Sequence, residues 1–171
     1  KLAGLPLSFV SKSKFELNEK LIRLGAVNTN EQWDGFEHFF YGKSVSGGGN
    51  EDFNFQLSNL FESGTYKLTV RLQGVIDGFR RANLSLNDRL LGSIEWSGIR
   101  SQKFISNDFP NSDLINGLNN LYISVEDLDG GVDKVALDWI EIEYDHKYKV
   151  NEDQLYFNKQ GNYSTNAHFN I

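Results

Sequence analysis

Short runs of period-two alternation, separated by turn residues, are the feature that most limits what this chain can fold into. In Thr65–Gln73, Tyr66, Leu68, Val70 and Leu72 fall on one side and Lys67, Thr69 and Arg71 on the other. Ala82, Leu84 and Leu86 alternate with Asn83, Ser85 and Asn87. Phe53, Phe55 and Leu57 alternate with Asn54 and Gln56, and Leu121, Ile123 and Val125 with Tyr122, Ser124 and Glu126. A strand repeats its facing every two residues, so each run offers an apolar face to a core and a polar face to water. Asn87-Asp88 marks a tight turn, and Leu90–Trp96 reads as the returning strand. Gly47-Gly48-Gly49-Asn50, Glu62-Ser63-Gly64 and Gly130-Gly131 break the runs. Asn111-Ser112-Asp113 caps one helical turn through Leu114-Ile115, stopped by Gly117; no longer segment carries a 3.6-residue period. The expected fold is all-β, an antiparallel β-sandwich of the jelly-roll type.

Composition agrees with sheets: 13 Phe, 7 Tyr and 3 Trp stand among 171 residues, and aromatic side chains suit a pleated surface. The formal charge of −6 argues against nucleic acid, whose phosphates need clustered Lys and Arg. The pair Arg80-Arg81 reads as a short basic patch in a loop. With no cysteine, disulfides, zinc–thiolate sites and thiol chemistry are excluded. No stretch approaches the roughly 18 apolar residues of a membrane-spanning helix, so no membrane insertion is expected. The chain begins at Lys1 and lacks methionine, and it reads as a piece of a longer protein. Three parts are expected: residues 1–32, strands or an extension; 33–145, the sandwich; and 146–171, a linker and the first strands of a following module. In that last part Asp145–Asn151 is the linker, and Gln154–Phe157 and Tyr163–Ile171 are the strands.

Leu137–Tyr144 is the signature strand. Alternation sends Leu137, Trp139, Glu141 and Glu143 one way, and Ala136, Asp138, Ile140, Ile142 and Tyr144 toward the core. Asp138 and Trp139 are assigned structural roles. An inward carboxylate needs compensation, and three readings of Asp138 compete. Backbone amides or an arginine hold it, or it joins Asp127 and Asp129 around a structural calcium, or it is exposed at the start of the strand. An EF-hand is rejected, because the glycine of its sharp turn is replaced by Val132 and the flanks read as strands.

Catalytic constellations are sought and not found, so this chain is expected not to be an enzyme. His38, His146 and His168 have no metal-ligand spacing. Glu141 and Glu143 share a strand face, but nothing sets their pKa values apart as a glycosidase pair requires. Gly47-Gly48-Gly49 lacks the Lys-Ser/Thr of a phosphate loop. Aromatic stacking on sugars remains. Trp33 in Asn30–Gly35, Tyr41, Asn87 and Trp96 are the candidate ligand-binding residues.

The order Gly64–Leu72, Leu84–Asp88, Leu90-Leu91-Gly92, Asn119-Asn120-Leu121 and Leu137–Tyr144 resembles a galactose-binding-like jelly roll. More narrowly, it is similar to the domain preceding the peptidase domain in gingipain-family (C25) proteins, including the sortase-like members of the type IX secretion system of Bacteroidota. The early aromatic stretch Phe36–Tyr41, Trp96-Ser97-Gly98, the closing strand and the basic-aromatic His146–Lys149 carry this likeness, which spans about Trp33 to Phe157. The resemblance implies a secreted or cell-surface, outer-membrane-associated location. It also implies an adjacent peptidase domain in the same polypeptide as partner, with protein cargo or a glycan as further partners. The family's catalytic Cys–His pair lies downstream, so catalysis does not carry over to this chain. A carbohydrate-binding module is the second reading.

Overall fold

The computed structural model describes residues 8–21, 39–128, 130, 133–147, 150–151 and 154–155. In chain order the strands are β1 (Ser8–Glu16), β2 (Lys20–Leu21), β3 (Phe39–Phe40), β4 (Ser44–Ser46), β5 (Asn50–Leu57), β6 (Thr65–Gly74) and β7 (Phe79–Leu86). There follow β8 (Arg89–Ser97), β9 (Ser101–Ile105), β10 (Phe109–Pro110), β11 (Gly117–Val125), β12 (Lys134–Lys147), β13 (Val150–Asn151) and β14 (Gln154–Leu155). The expected helical turn is a single 3-10 turn at Asn111–Asp113.

Two antiparallel sheets make the sandwich. The first runs β1-β12-β6-β10, with β4 also on β12 and β9 also on β6; the second runs β5-β11-β7-β8. This is the all-β jelly roll that the alternation predicts. The inward residues of both sheets, among them Leu68, Val70 and Leu72 from β6 and Leu84, Leu121 and Ile123 from the facing sheet, form one core. Apolar burial on this pattern is the main force holding the sheets together. Aromatic rings close the gap between sheets, with Phe15 and Phe55 centroids 4.9 Å apart and Tyr41 edge-on to Phe53 at 5.8 Å.

The hairpin at Asn87-Asp88 forms as expected. Both residues have positive φ, 47° and 68°, the twist a two-residue connection demands and which Asn and Asp tolerate.

Three sequence expectations change. First, the N-terminal segment contributes to the sandwich: Ser8–Glu16 pairs along β12 from Lys147 to Trp139. Its polar–apolar pattern is modest because β1 is an edge strand, closed by Lys12 to Glu141 and Glu143 at 2.8 and 3.1 Å. Second, residues 145–147 belong to β12, and His146 bridges Leu60. Val150–Asn151, also read as linker, pairs with Gln154–Leu155 in a separate two-stranded sheet. Tyr163–Ile171 lies outside the described residues. Third, Arg80-Arg81 is not in a loop but in β7, where Arg80 is fully buried.

The signature strand contains a β-bulge. Leu137 pairs with Leu72 and Trp139 with Arg71, so the register skips Asp138. A bulge inserts one residue and inverts the facing on either side of it. Leu137 is therefore inward along with Ile140, Ile142 and Tyr144, which corrects the expectation that Leu137 faces out. Of the three readings of Asp138, the arginine is realised: Arg71 Nε lies 3.1 Å from its Oδ2. Replacing Asp138 by alanine leaves that guanidinium without its carboxylate in a part-buried place. The expected loss is about 1–2 kcal/mol in thermal or urea unfolding; an unchanged melting temperature would contradict this role. Trp139 projects from the outer face, with Lys14 Nζ at 5.2 Å and Lys103 Nζ at 5.5 Å from its ring centroid.

Candidate functional site

The candidate ligand residues do not come together. Trp33 lies outside the described residues. Trp96 is 3 % exposed, and the Arg80 guanidinium lies 5.3 Å from its ring centroid. This corrects its assignment to ligand binding, since a covered indole has no face for a sugar. Asn87 is likewise engaged inside the protein. Its Nδ2 donates to Asp113 O at 2.9 Å and to Asn119 Oδ1 at 2.8 Å, and its Oδ1 accepts from Asn120 N at 2.9 Å. These bonds hold the hairpin and use the amide within the protein.

Two of the three calcium candidates are described. Asp138 faces Arg71, and Asp127 is exposed beside Gly48. Asp129 and His38 and His168 lie outside the described residues. No three metal-ligating side chains converge among the described residues. His146 packs on Phe9 and Tyr144.

Tyr41 is the candidate that reaches an opening. The ring itself is buried. It lines a cleft of about 160 Å³ together with Leu17, Glu19, Gly42, Lys43, Asp52, Phe53 and Asn54. Alternation in β5 places these residues: Phe53 points inward, and Asp52 and Asn54 point out. A side chain at Gly42 would meet Glu19 Oε2 at 2.7 Å, so glycine lets this carboxylate close on the backbone. Lys43 is held by Glu51 at 2.9 Å. Burial, with the charges of Glu16 and Glu19, pushes the Tyr41 phenol up to about 12. It therefore stays a neutral hydroxyl.

A sign follows for stability. The folded pKa exceeds the unfolded one near 10, so the unfolded chain ionises first and stability falls as pH rises through 10 to about 12. Tyr66 is shifted upward for the same first reason, burial. Absorbance titration at 295 nm is expected to show both phenols ionising after the exposed tyrosines, with unfolding advancing over that range.

Asp52 and Asn54 also belong to the outer face of the second sheet. Asn54 lies opposite Asn120, and Asp52 opposite Tyr122; Tyr122 faces Ser85 on its other side. Asn120 Nδ2 donates to Asn54 Oδ1 at 3.0 Å. Tyr122 is 36 % exposed. Sequence reasoning passed over this group, although the alternation of Tyr122 with Ile123 already sent the phenol outward.

No family model matches the chain, and no curated protein matches it. Among solved structures, 85 % of the chain superposes on dimeric latent PorU from Porphyromonas gingivalis, with a TM-score of 0.59 and 17 % identity. The chain spans only 13 % of that PorU chain. The CBM36-1 domain of a multidomain xylanase from the hindgut metagenome of Trinervitermes trinervoides is similar over 77 % of the chain and 96 % of its own length, at 17 % identity and a TM-score of 0.48. A carbohydrate-binding module CBM36 in complex with calcium and xylotriose has 16 % identity and a TM-score of 0.46 over 76 % of the chain and 98 % of its own. At such identity the PorU likeness is one of fold alone, shared with a small part of a much longer chain.

Proposed function

We propose that this chain is a non-catalytic accessory β-sandwich of a larger secreted or surface gingipain-like protein, where it packs against and positions the neighbouring peptidase domain or contacts protein cargo. The observation that carries the reading is the fold shared with a small part of PorU, 85 % of this chain against 13 % of that one. The ordered motifs that resemble the domain before a gingipain-family peptidase support it independently. The buried polar groups fit a structural role. Arg80 and Asn119 are spent on loops of the sandwich itself. No helix among the described residues is long and apolar enough to cross a membrane.

Reading the gene beyond the codon for Ile171 tests the proposal. A caspase-like domain with a His and a Cys in its catalytic loops is the expected result. A reading frame that ends, or continues into an unrelated domain, overturns it.

A further inference from the structure

The cleft at Tyr41 and the Tyr122 face are one continuous surface, because Asp52 and Asn54 line the cleft and flank Tyr122. We propose that this surface is a binding site for a neutral oligosaccharide, with one sugar ring on Tyr122 and the chain running over Asn54 and Asp52 toward Glu19.

The chemistry of the surface selects this ligand. A partly exposed phenol ring offers a flat apolar face, which matches the C–H face of a pyranose. Amides and carboxylates around it supply donors and acceptors at the spacing of a β-sheet, and hydroxyl-rich ligands need both kinds. The Asn54–Asn120 bond uses one donor hydrogen and one acceptor, fixing both amide planes while their remaining groups have no partner among the described residues. A carboxylate such as Asp52 accepts two hydroxyls at once.

Charge narrows the choice. The strands β5 and β11, which carry Asp52, Asn54, Asn120 and Tyr122, contain no lysine or arginine. On the adjoining β7 and β8, Arg80 is buried, Arg81 is paired with Glu95 and Glu126, and Arg89 lies 3.6 Å from Asp113. Among the described residues lining the cleft the one ammonium, Lys43, is taken by Glu51, leaving the acids Glu19 and Asp52. Phosphates, uronates and nucleic acids would meet repulsion here; an uncharged polyol would not. Of the residues the sequence suggested, Tyr41 lines this surface, Trp96 is buried, and Asn87 is hydrogen-bonded within the protein. The site also stands whether or not a peptidase domain follows.

The test is a ¹H–¹⁵N correlation titration of the whole chain with hexaoses of glucose, xylose and mannose, and hexagalacturonate as the acidic control. Shifts are expected at Tyr122, Asn54, Asn120 and Asp52 with at least one neutral hexaose and not with the acidic one. Tyr122→Ala is expected to weaken that binding at least about tenfold. Asn54→Ala, on an exposed edge strand, is expected to weaken it with the melting temperature unchanged. Ile105→Ala, on the other sheet, leaves it intact. Three results overturn the proposal: no shifts with any neutral hexaose at millimolar concentration, shifts confined to other surfaces, or affinity unchanged in both Tyr122→Ala and Asn54→Ala. If Tyr122→Ala does not fold, the wild-type shift map and Asn54→Ala decide the matter.

Discussion

Arg80→Ala is expected to lower the unfolding free energy by about 3–5 kcal/mol, the usual loss when one partner of a buried ion pair is removed. Arg80 is 0 % exposed and ties three loops at one end of the sandwich. Its Nε donates to Asp133 Oδ1 at 2.8 Å, just before β12. One terminal nitrogen donates to Gly98 O at 2.6 Å in the β8–β9 loop, and the other to Ile76 O in the β6–β7 loop. Alanine would leave a carboxylate and two carbonyls short of their donors, and would expose a cavity beside Trp96. Lysine should not rescue it, because a single ammonium cannot reproduce three directions of a planar fork.

Gly74 is the matching half of the device. A Cβ there would stand 1.8 Å from an Arg80 terminal nitrogen and 2.7 Å from Gly98 O. Gly74→Ala is therefore expected to destabilise strongly in the native chain and less in the Arg80→Ala background, where one of the two clashes is gone. Urea unfolding of both single variants and the double variant measures this coupling. Arg81→Ala supplies the contrast: its guanidinium is exposed between Glu95 and Glu126, and exposed pairs contribute little. If Arg80→Ala costs no more than Arg81→Ala, the loop-clamp account is wrong.

Asn119→Ala is expected to cost about 2–4 kcal/mol, since up to four hydrogen-bonding groups lose a partner in a buried place. The side chain is fully buried. Its Nδ2 donates to Ile115 O at 2.7 Å and Gly117 O at 3.0 Å. Its Oδ1 accepts from Ile115 N at 2.9 Å and from Asn87 Nδ2 at 2.8 Å. One amide thus joins the turn before β11 to the β7–β8 hairpin. Asn119→Asp keeps the acceptors, loses both donors and buries a charge, so it should be no milder. Hydrogen exchange gives the local readout: the Ile115 amide should lose protection in either variant. Protection retained with a small stability change would mean that the network contributes little.

The alternation of β5, β6, β7 and β11 was legible because strand facing is a local property, written at every second residue. Tyr66, Leu68, Val70 and Leu72 lie on the core side as their spacing requires. The same logic failed at Leu137, because a bulge at Asp138 adds one residue to the count and nothing in the sequence around it announces the insertion. The candidate site was poorly legible for a related reason. Trp96 stands among the candidate ligand residues until Arg80 is seen to cover it, and Asp52 and Tyr122 are 70 positions apart in sequence order yet directly opposite in register.

What the sequence by itself determined is the all-β class, the strand faces and the Asn87-Asp88 hairpin, all consequences of side chains acting on their own few residues. Only the tertiary structure decided that Ser8–Glu16 completes the sheet along β12, that Arg80 is a buried clamp, and that Tyr41, Asp52 and Tyr122 share one surface. Those outcomes depend on which distant strands pair and which loops meet, and a buried polar group takes whatever partners that pairing brings within reach.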